Sequence, residues 1–206
     1  MQLNEQPRSV QNKVILLVGS AKILDSVGAV HEATVLLDTG SELSFVTEDF
    51  AKELGLPVVE RVSLMISTFG SRSPSAKICD VTTLRVRDIE GCQHELRLLR
   101  SEYITGAIEQ ANLDQADLDF IDRHGVVLSQ QGQLAAVKPQ ILLGCDYLWD
   151  FMLPGGKLIL PSGLQLIPTK FGYRTYSGCL PGMERNTGYH SRPSDTGSSD
   201  YIRLGN

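Results

Sequence analysis

TVLLDTGSELSFV, residues 34–46, places an acidic residue at the end of an apolar run. TVLL has the apolar, β-branched character of a buried strand, LSFV reads as a second strand, and Asp38, Thr39 and Gly40 stand between them. Burying a carboxylate costs free energy unless something uses its charge. Asp38 is therefore a candidate catalytic residue, although an Asp-x-Gly turn with a purely structural role is the alternative.

A second copy of DTGS occurs at residues 195–198. It follows SRPS and precedes SDYIR, so no apolar strand leads to it. Four letters alone are a weak signal, and we expect this copy to belong to a flexible polar tail. The candidate site is the copy that begins at Asp38.

Composition limits the classes of protein that the chain can belong to. Of its 206 residues 42% are hydrophobic, and the formal net charge of −5 argues against a general nucleic-acid binder. No apolar stretch approaches the roughly 18 to 20 residues that span a membrane, and the first residues lack the pattern of a signal peptide. We therefore expect a cytoplasmic protein that binds neither nucleic acid nor membrane.

Cysteine and histidine spacing predicts no metal site and no cofactor. The four cysteines lie far apart, without a CxxC pair or an adjacent histidine, and Cys145 is interpreted as a small core residue. The four histidines are isolated and are expected to face solvent: His31, His94, His124 and His190.

Periodicity predicts a chain made mainly of strands. A strand over 13–20 turns near Ser26–Gly28 into a return strand, and a hairpin spans 61–88 around FGSRSPS. A short helix follows Thr47, its expected N-cap, and another follows the ILLG strand with Asp146 as its cap. Further short strands are predicted in KLILPSGLQLIPTKFGY.

The predicted organisation is an N-terminal extension over 1–12, one domain over 13–180 and a disordered tail or linker over 181–206. Within the domain, residues 102–138 form an insertion with one amphipathic helix that ends at Gly125. Its apolar face is expected to comprise Leu113, Ala116, Phe120 and Ile121.

The strand ending in DTGS, the hairpin and the ILLG strand together resemble the retropepsin family of aspartic peptidases. Three longer segments, ADLDFIDRHGVVLS, VKPQILLGCDYLWDFM and LPSGLQLIPTKFGY, are similar to the peptidase region of BEL/Pao-type LTR retrotransposon polyproteins. The resemblance implies a mainly β fold: a retropepsin-like acid protease half-barrel with a helical insertion and a C-terminal helix.

The resemblance also implies an activity, aspartic endopeptidase, that needs two carboxylates sharing one proton. Because only one DTGS copy follows a strand, the second carboxylate would come from Asp38 of another copy in a homodimer. Thr39 would then hydrogen-bond across the dimer axis, Gly40 would let backbone amides approach the carboxylate, and Ser41 could donate to its outer oxygen.

Phe69, Gly70 and Ser71 would form the tip of a flap that closes over an extended polypeptide substrate. That substrate would be a retrotransposon Gag-Pol polyprotein, or a cellular protein if the gene is domesticated. The alternative is a catalytically inactive scaffold of the same fold that mediates dimerisation or protein binding.

Overall fold

The computed structural model describes residues 15–66, 75–129 and 136–177. Strands dominate this part of the chain, which confirms the predicted fold class. In chain order the elements are β1 (Leu17–Leu24), β2 (Val30–Leu37), β3 (Phe45–Thr47), α1 (Glu48–Glu53), β4 (Glu60–Ile66), β5 (Ser75–Arg87), β6 (Gln93–Ser101), β7 (Ile108–Glu109), α2 (Gln115–Arg123), β8 (Ala136–Val137), β9 (Ile141–Leu143), α3 (Leu148–Phe151), β10 (Leu158–Ile159), β11 (Gln165–Ile167) and β12 (Arg174–Tyr176).

Six strands close into a barrel. The main sheet has the order β1-β2-β9-β3-β6-β5-β4, and β5 also pairs with β1. One edge of the long strand β5 pairs with two strands. Its first half pairs with β4, and Arg85–Arg87 pair with β1. The result is consistent with the retropepsin-like half-barrel that the sequence predicts, with the β4–β5 hairpin projecting from it.

The core fills the barrel interior. Alternate residues of the strands point inward, and Ile23, Leu84 and Leu98 are each 0% exposed. Helix α1 adds Phe50 and Ala51 to the same cluster. Thr47 occupies the N-cap position of α1 as predicted, but its side chain makes no capping hydrogen bond. The helix therefore depends on the burial of its apolar face.

Two hairpin turns share the sequence pattern Asp-x-x-Gly-x-x-His, and this corrects the prediction that His31 and His94 are isolated. In each turn one carboxylate oxygen accepts two backbone amides and the other bonds the histidine Nε2, at 2.9 Å for His31 and 2.8 Å for His94. The glycines, Gly28 and Gly91, have φ near +90°, which favours glycine. The acidic residues are Asp25 and Asp88.

The predicted insertion contains helix α2 and the short strand pair β7–β8. Asp114 caps α2 through the amide of Asp117, and Gly125, at φ +60°, follows its end. Ile121 is buried as expected, but Ala116 is exposed. Asp117 is buried instead, because its carboxylate turns inward and accepts a hydrogen bond from the amide of Ser162.

Beyond the barrel, the predicted C-terminal helix is the four-residue α3, and a three-stranded sheet, β10-β11-β12, follows it. Arg174 ties this sheet to the barrel by donating from Nη1 to the carbonyls of Leu17 and Val35, at 3.1 and 2.7 Å. Burial lowers the pKa of Arg174 to about 9. Because this pKa is still above 7, the side chain is charged at neutral pH.

The predicted extension over 1–12, the tail over 181–206 and the flap residues Phe69, Gly70 and Ser71 lie outside the described residues. Within the described ranges, no helix is long and apolar enough to cross a membrane.

Candidate active site

Asp38 lies where three strands meet. Strand β9 runs between β2 and β3, parallel to β2 and antiparallel to β3. The last register pair, Leu37 with Leu143, places Asp38 just beyond the ends of both strands, and its amide donates to the Leu143 carbonyl at 3.0 Å. The position of the candidate catalytic residue is therefore determined by backbone pairing.

The carboxylate of Asp38 is half-buried, and Oδ1 accepts a hydrogen bond from the amide of Gly40 at 2.9 Å. A Cβ on Gly40 would lie only 3.2 Å from Oδ1, so a side chain would crowd this contact. Among the described residues, no basic side chain forms an ion pair with Asp38. Oδ1 is thus fixed by the backbone, while the charge has no counter-ion in the described chain.

The neighbouring loop residues take different partners. The Ser41 hydroxyl donates to the carbonyl of Leu43 at 2.7 Å rather than to the Asp38 carboxylate. Thr39 is exposed, and its carbonyl lies 3.4 Å from the Sγ of Cys145. Cys145 is itself exposed, so the prediction of a core cysteine is wrong. Among the described cysteines, Cys79 is the buried one. The exposure follows because Cys145 comes after β9, where the chain leaves the barrel.

Asp146 does not cap the following helix, contrary to the prediction. Its two carboxylate oxygens accept from the hydroxyl and the amide of Ser44, at 2.5 and 3.1 Å. The Ser44 hydroxyl in turn accepts from the amide of Gly144 at 2.9 Å. The N-cap of α3 is Tyr147, which makes no side-chain capping bond. Because Ser44 and Asp146 are 102 residues apart, no local pattern could have indicated this pair.

Residues 144–146 also contact the backbone of residues 38–44, which form the active-site loop. The amides of Cys145 and Asp146 donate to the carbonyls of Ser41 and Glu42. A Cβ on Gly144 would lie 2.5 Å from the Leu43 carbonyl oxygen and 2.7 Å from that of Ser41. Only glycine allows this approach, which gives the glycine of ILLG a physical role.

The β4–β5 hairpin is the described part of the predicted flap. Its last described pair, Ile66 with Ser75, brackets residues 67–74, in which the predicted tip lies. Nearer the barrel the hairpin carries two exposed apolar side chains, Met65 and Ile78, at 67% and 73% exposure. This arm therefore presents apolar surface to solvent.

No group of three or more His, Cys, Asp or Glu residues that could hold a metal ion exists in the described part of the chain. The site consists of one aspartate on a loop fixed by the barrel.

The barrel is mainly β with a mixed sheet and few helices, which is consistent with a retropepsin-like fold, and it carries an aspartate directly after its second strand. The family model described as "Putative peptidase (DUF1758)" matches residues 25–180, more than half of the chain. The chain belongs to this peptidase family, and the match includes Asp38 and residues 144–146. Searches of curated proteins and of solved structures found no match.

Proposed function

We propose that the chain is an aspartic endopeptidase that is active as a homodimer. The observation that carries the proposal is the setting of Asp38: a carboxylate at a strand end, bonded by the Gly40 amide and without an ion-pair partner among the described residues. A structural turn aspartate would not need a loop fixed by Gly144 and Asp146. Membership of a peptidase family supports the same function.

The chemistry requires the Asp38 carboxylates of two copies to lie close together and share one proton, because both cannot ionise cheaply at that distance. The ionised carboxylate takes a proton from a bound water while the water oxygen attacks the peptide carbonyl carbon. The protonated carboxyl donates to the carbonyl oxygen as negative charge develops. Proton transfer to the amide nitrogen then breaks the C–N bond and releases an acid and an amine.

A second copy is needed because one chain supplies one suitable aspartate. The other DTGS copy, at Asp195, has no apolar strand before it. Thr39, exposed beside Asp38, is available to hydrogen-bond with its equivalent across a two-fold axis.

The substrate would be a polypeptide lying extended between the Asp38 loop and the β4–β5 hairpin, bound through main-chain hydrogen bonds. The exposed side chains of Met65 and Ile78 give this hairpin an apolar surface that suits peptide side chains. Phe69, Gly70 and Ser71 would form the tip of the flap. By resemblance to BEL/Pao peptidases, the natural substrate is a Gag-Pol polyprotein, or a cellular protein in a domesticated gene.

A subunit-mixing experiment tests the shared site. The Asp38→Asn variant is mixed with wild type, the subunits are allowed to exchange, and cleavage of a peptide library is measured alongside mass by light scattering. Random pairing with an equal amount of variant should reduce the activity of a fixed amount of wild type to about half, because mixed dimers lack one carboxylate.

Unchanged activity after verified exchange would mean that each chain holds a complete site, and the dyad would be rejected. A protein that is monomeric at every concentration and cleaves nothing would instead support the inactive scaffold. A scaffold would also retain partner binding when Asp38 is replaced by Asn.

A further inference from the structure

A cavity of about 770 Å³ lies at the end of the barrel away from Asp38. It is lined by Lys22 of β1 and by residues 30–32 at the start of β2, whereas Asp38 follows the end of β2. The seven residue steps from His31 to Asp38 along β2 correspond to roughly 23 Å. The cavity is therefore separate from the candidate active site.

Two cations lie side by side in the wall of this cavity. Lys22 and Arg87 are directly opposite in the β1–β5 register, and both line the cavity. Like charges in opposed positions of neighbouring strands destabilise a sheet. No described residue forms an ion pair with either, and the Nε of Arg87 is buried without a hydrogen-bond partner. Neither cation is therefore held in an ion pair within the described part of the chain.

The acidic residues nearby supply only part of this charge. Glu32 is the cross-strand neighbour of Lys22 on the β2 side, and it too lines the cavity. Asp88 also lines it, but its carboxylate is bonded to His94 and to two backbone amides. Glu32 can neutralise only one of the two cations, and Ser20 and Ser129 add hydroxyl-bearing residues to the cavity lining.

The rest of the wall is apolar. Phe171 and Leu128 line the cavity, and Ile89 and Val127, both 55% exposed, lie at its surface. Small-molecule sites in proteins combine such a wall with a few polar groups in volumes of about 300–1,000 Å³. The cavity thus has a charged side and an apolar side, and its volume falls within that range.

We propose that this cavity binds an organic anion, with its carboxylate or phosphate head on Lys22 and Arg87 and its apolar body against Val127 and Ile89. Carboxylate and phosphate are both anions that can accept two parallel hydrogen bonds from an arginine. The inference does not depend on the proposed peptidase activity.

Calorimetric titration of the full chain tests the proposal with matched probes. Octanoate and octyl phosphate carry both head and apolar body, acetate and inorganic phosphate carry the head alone, and octylamine carries the same body with the opposite charge. We expect saturable binding of octanoate or octyl phosphate, at least about tenfold tighter than the head alone, and no binding of octylamine. The tighter of the two anions identifies the preferred head group.

Two variants localise the site. Lys22→Gln and Arg87→Gln should each weaken binding by about tenfold, the effect of losing one charge-assisted hydrogen bond. Lys157→Gln removes an exposed positive charge that does not line the cavity and should leave binding unchanged. Since Lys22 is exposed, its variant should keep the fold even if the Arg87 variant does not.

The proposal is overturned if neither amphiphilic anion saturates, or if octylamine binds equally well. It is also overturned if Lys157→Gln weakens binding as much as Lys22→Gln, because attraction would then be a property of the whole surface.

Discussion

Ser44 and Asp146 form a two-point hydrogen-bonded pair that joins the active-site loop to the chain segment after β9. The Ser44 hydroxyl donates to Oδ1 at 2.5 Å, and its amide donates to Oδ2 at 3.1 Å. The same hydroxyl accepts from the amide of Gly144, so one side chain links both segments. Ser44 is 1% exposed, so water has little access to its side of these bonds. The pair therefore holds in place the loop that carries Asp38.

Ser44→Ala should lower the free energy of unfolding by about 1–3 kcal/mol, because the Gly144 amide loses its partner and Asp146 loses its hydroxyl donor. Urea denaturation measures the change. Asp150→Asn is the matched control, since Asp150 is exposed on α3 and should change stability by no more than about 0.5 kcal/mol. Equal effects of the two substitutions would show that the Ser44 pair contributes nothing to stability.

Gly144→Ala should destabilise the protein by about 1–3 kcal/mol or more and should reduce any peptidase activity. The new methyl group would meet the backbone oxygens of Leu43 and Ser41 at 2.5 and 2.7 Å, and neither can move without shifting the Asp38 loop. Gly156→Ala serves as the control, because a Cβ there meets nothing within 4 Å. Thermal denaturation and peptide cleavage are the measurements. A Gly144 variant as stable and active as the Gly156 variant would contradict the close approach.

Asp88→Asn should alter the acid dependence of stability. Burial raises the pKa of the Asp88 carboxyl, but hydrogen bonds from His94 and from the amides of Cys92 and Glu90 outweigh burial, so the pKa lies below its ordinary 3.8. A lowered folded-state pKa means that the ionised form stabilises the fold. This contribution is complete above the unfolded-state pKa and is lost as the pH falls through the lowered value.

The variant should accordingly be less stable than wild type at about pH 6, and the difference should shrink below about pH 4. Unfolding midpoints across this range measure both. Asp122→Asn, at an exposed position on α2, should leave the curve unchanged. If the Asp88 variant differs from wild type by the same amount at every pH, ionisation of this carboxyl does not stabilise the fold.

Asp195→Asn should have no effect on fold or activity. Asp38→Asn should lower the rate of cleavage by about 10²–10⁴-fold or more. Both substitutions replace the aspartate of a DTGS motif. Comparing them therefore separates the effect of the motif from the effect of the apolar strand that precedes it only at Asp38. Cleavage of one reporter peptide by the two purified variants is sufficient. A loss of activity in the Asp195 variant would mean that the second copy takes part in catalysis.

Local sequence was sufficient for most of the elements. Turn residues between alternating apolar runs predicted the β1–β2 and β4–β5 hairpins, and the structure confirms them. Neighbouring residues likewise define both ends of α2. Asp114 caps its start, and Gly125, with a positive φ, follows its end. Asp38 was recognisable because an acidic residue directly after a buried strand is costly without a use.

Partners distant in sequence were decided by the tertiary structure alone. Asp146 has the spacing of a helix cap, and only the passage of β9 between β2 and β3 brings it to Ser44 instead. Lys22 and Arg87 are unremarkable in the sequence, and they become a facing pair because the barrel closes between β1 and β5. Turns and helix caps depend on the backbone geometry of a few consecutive residues, so the sequence shows them. The Ser44–Asp146 and Lys22–Arg87 contacts depend on pairing between strands that are many residues apart.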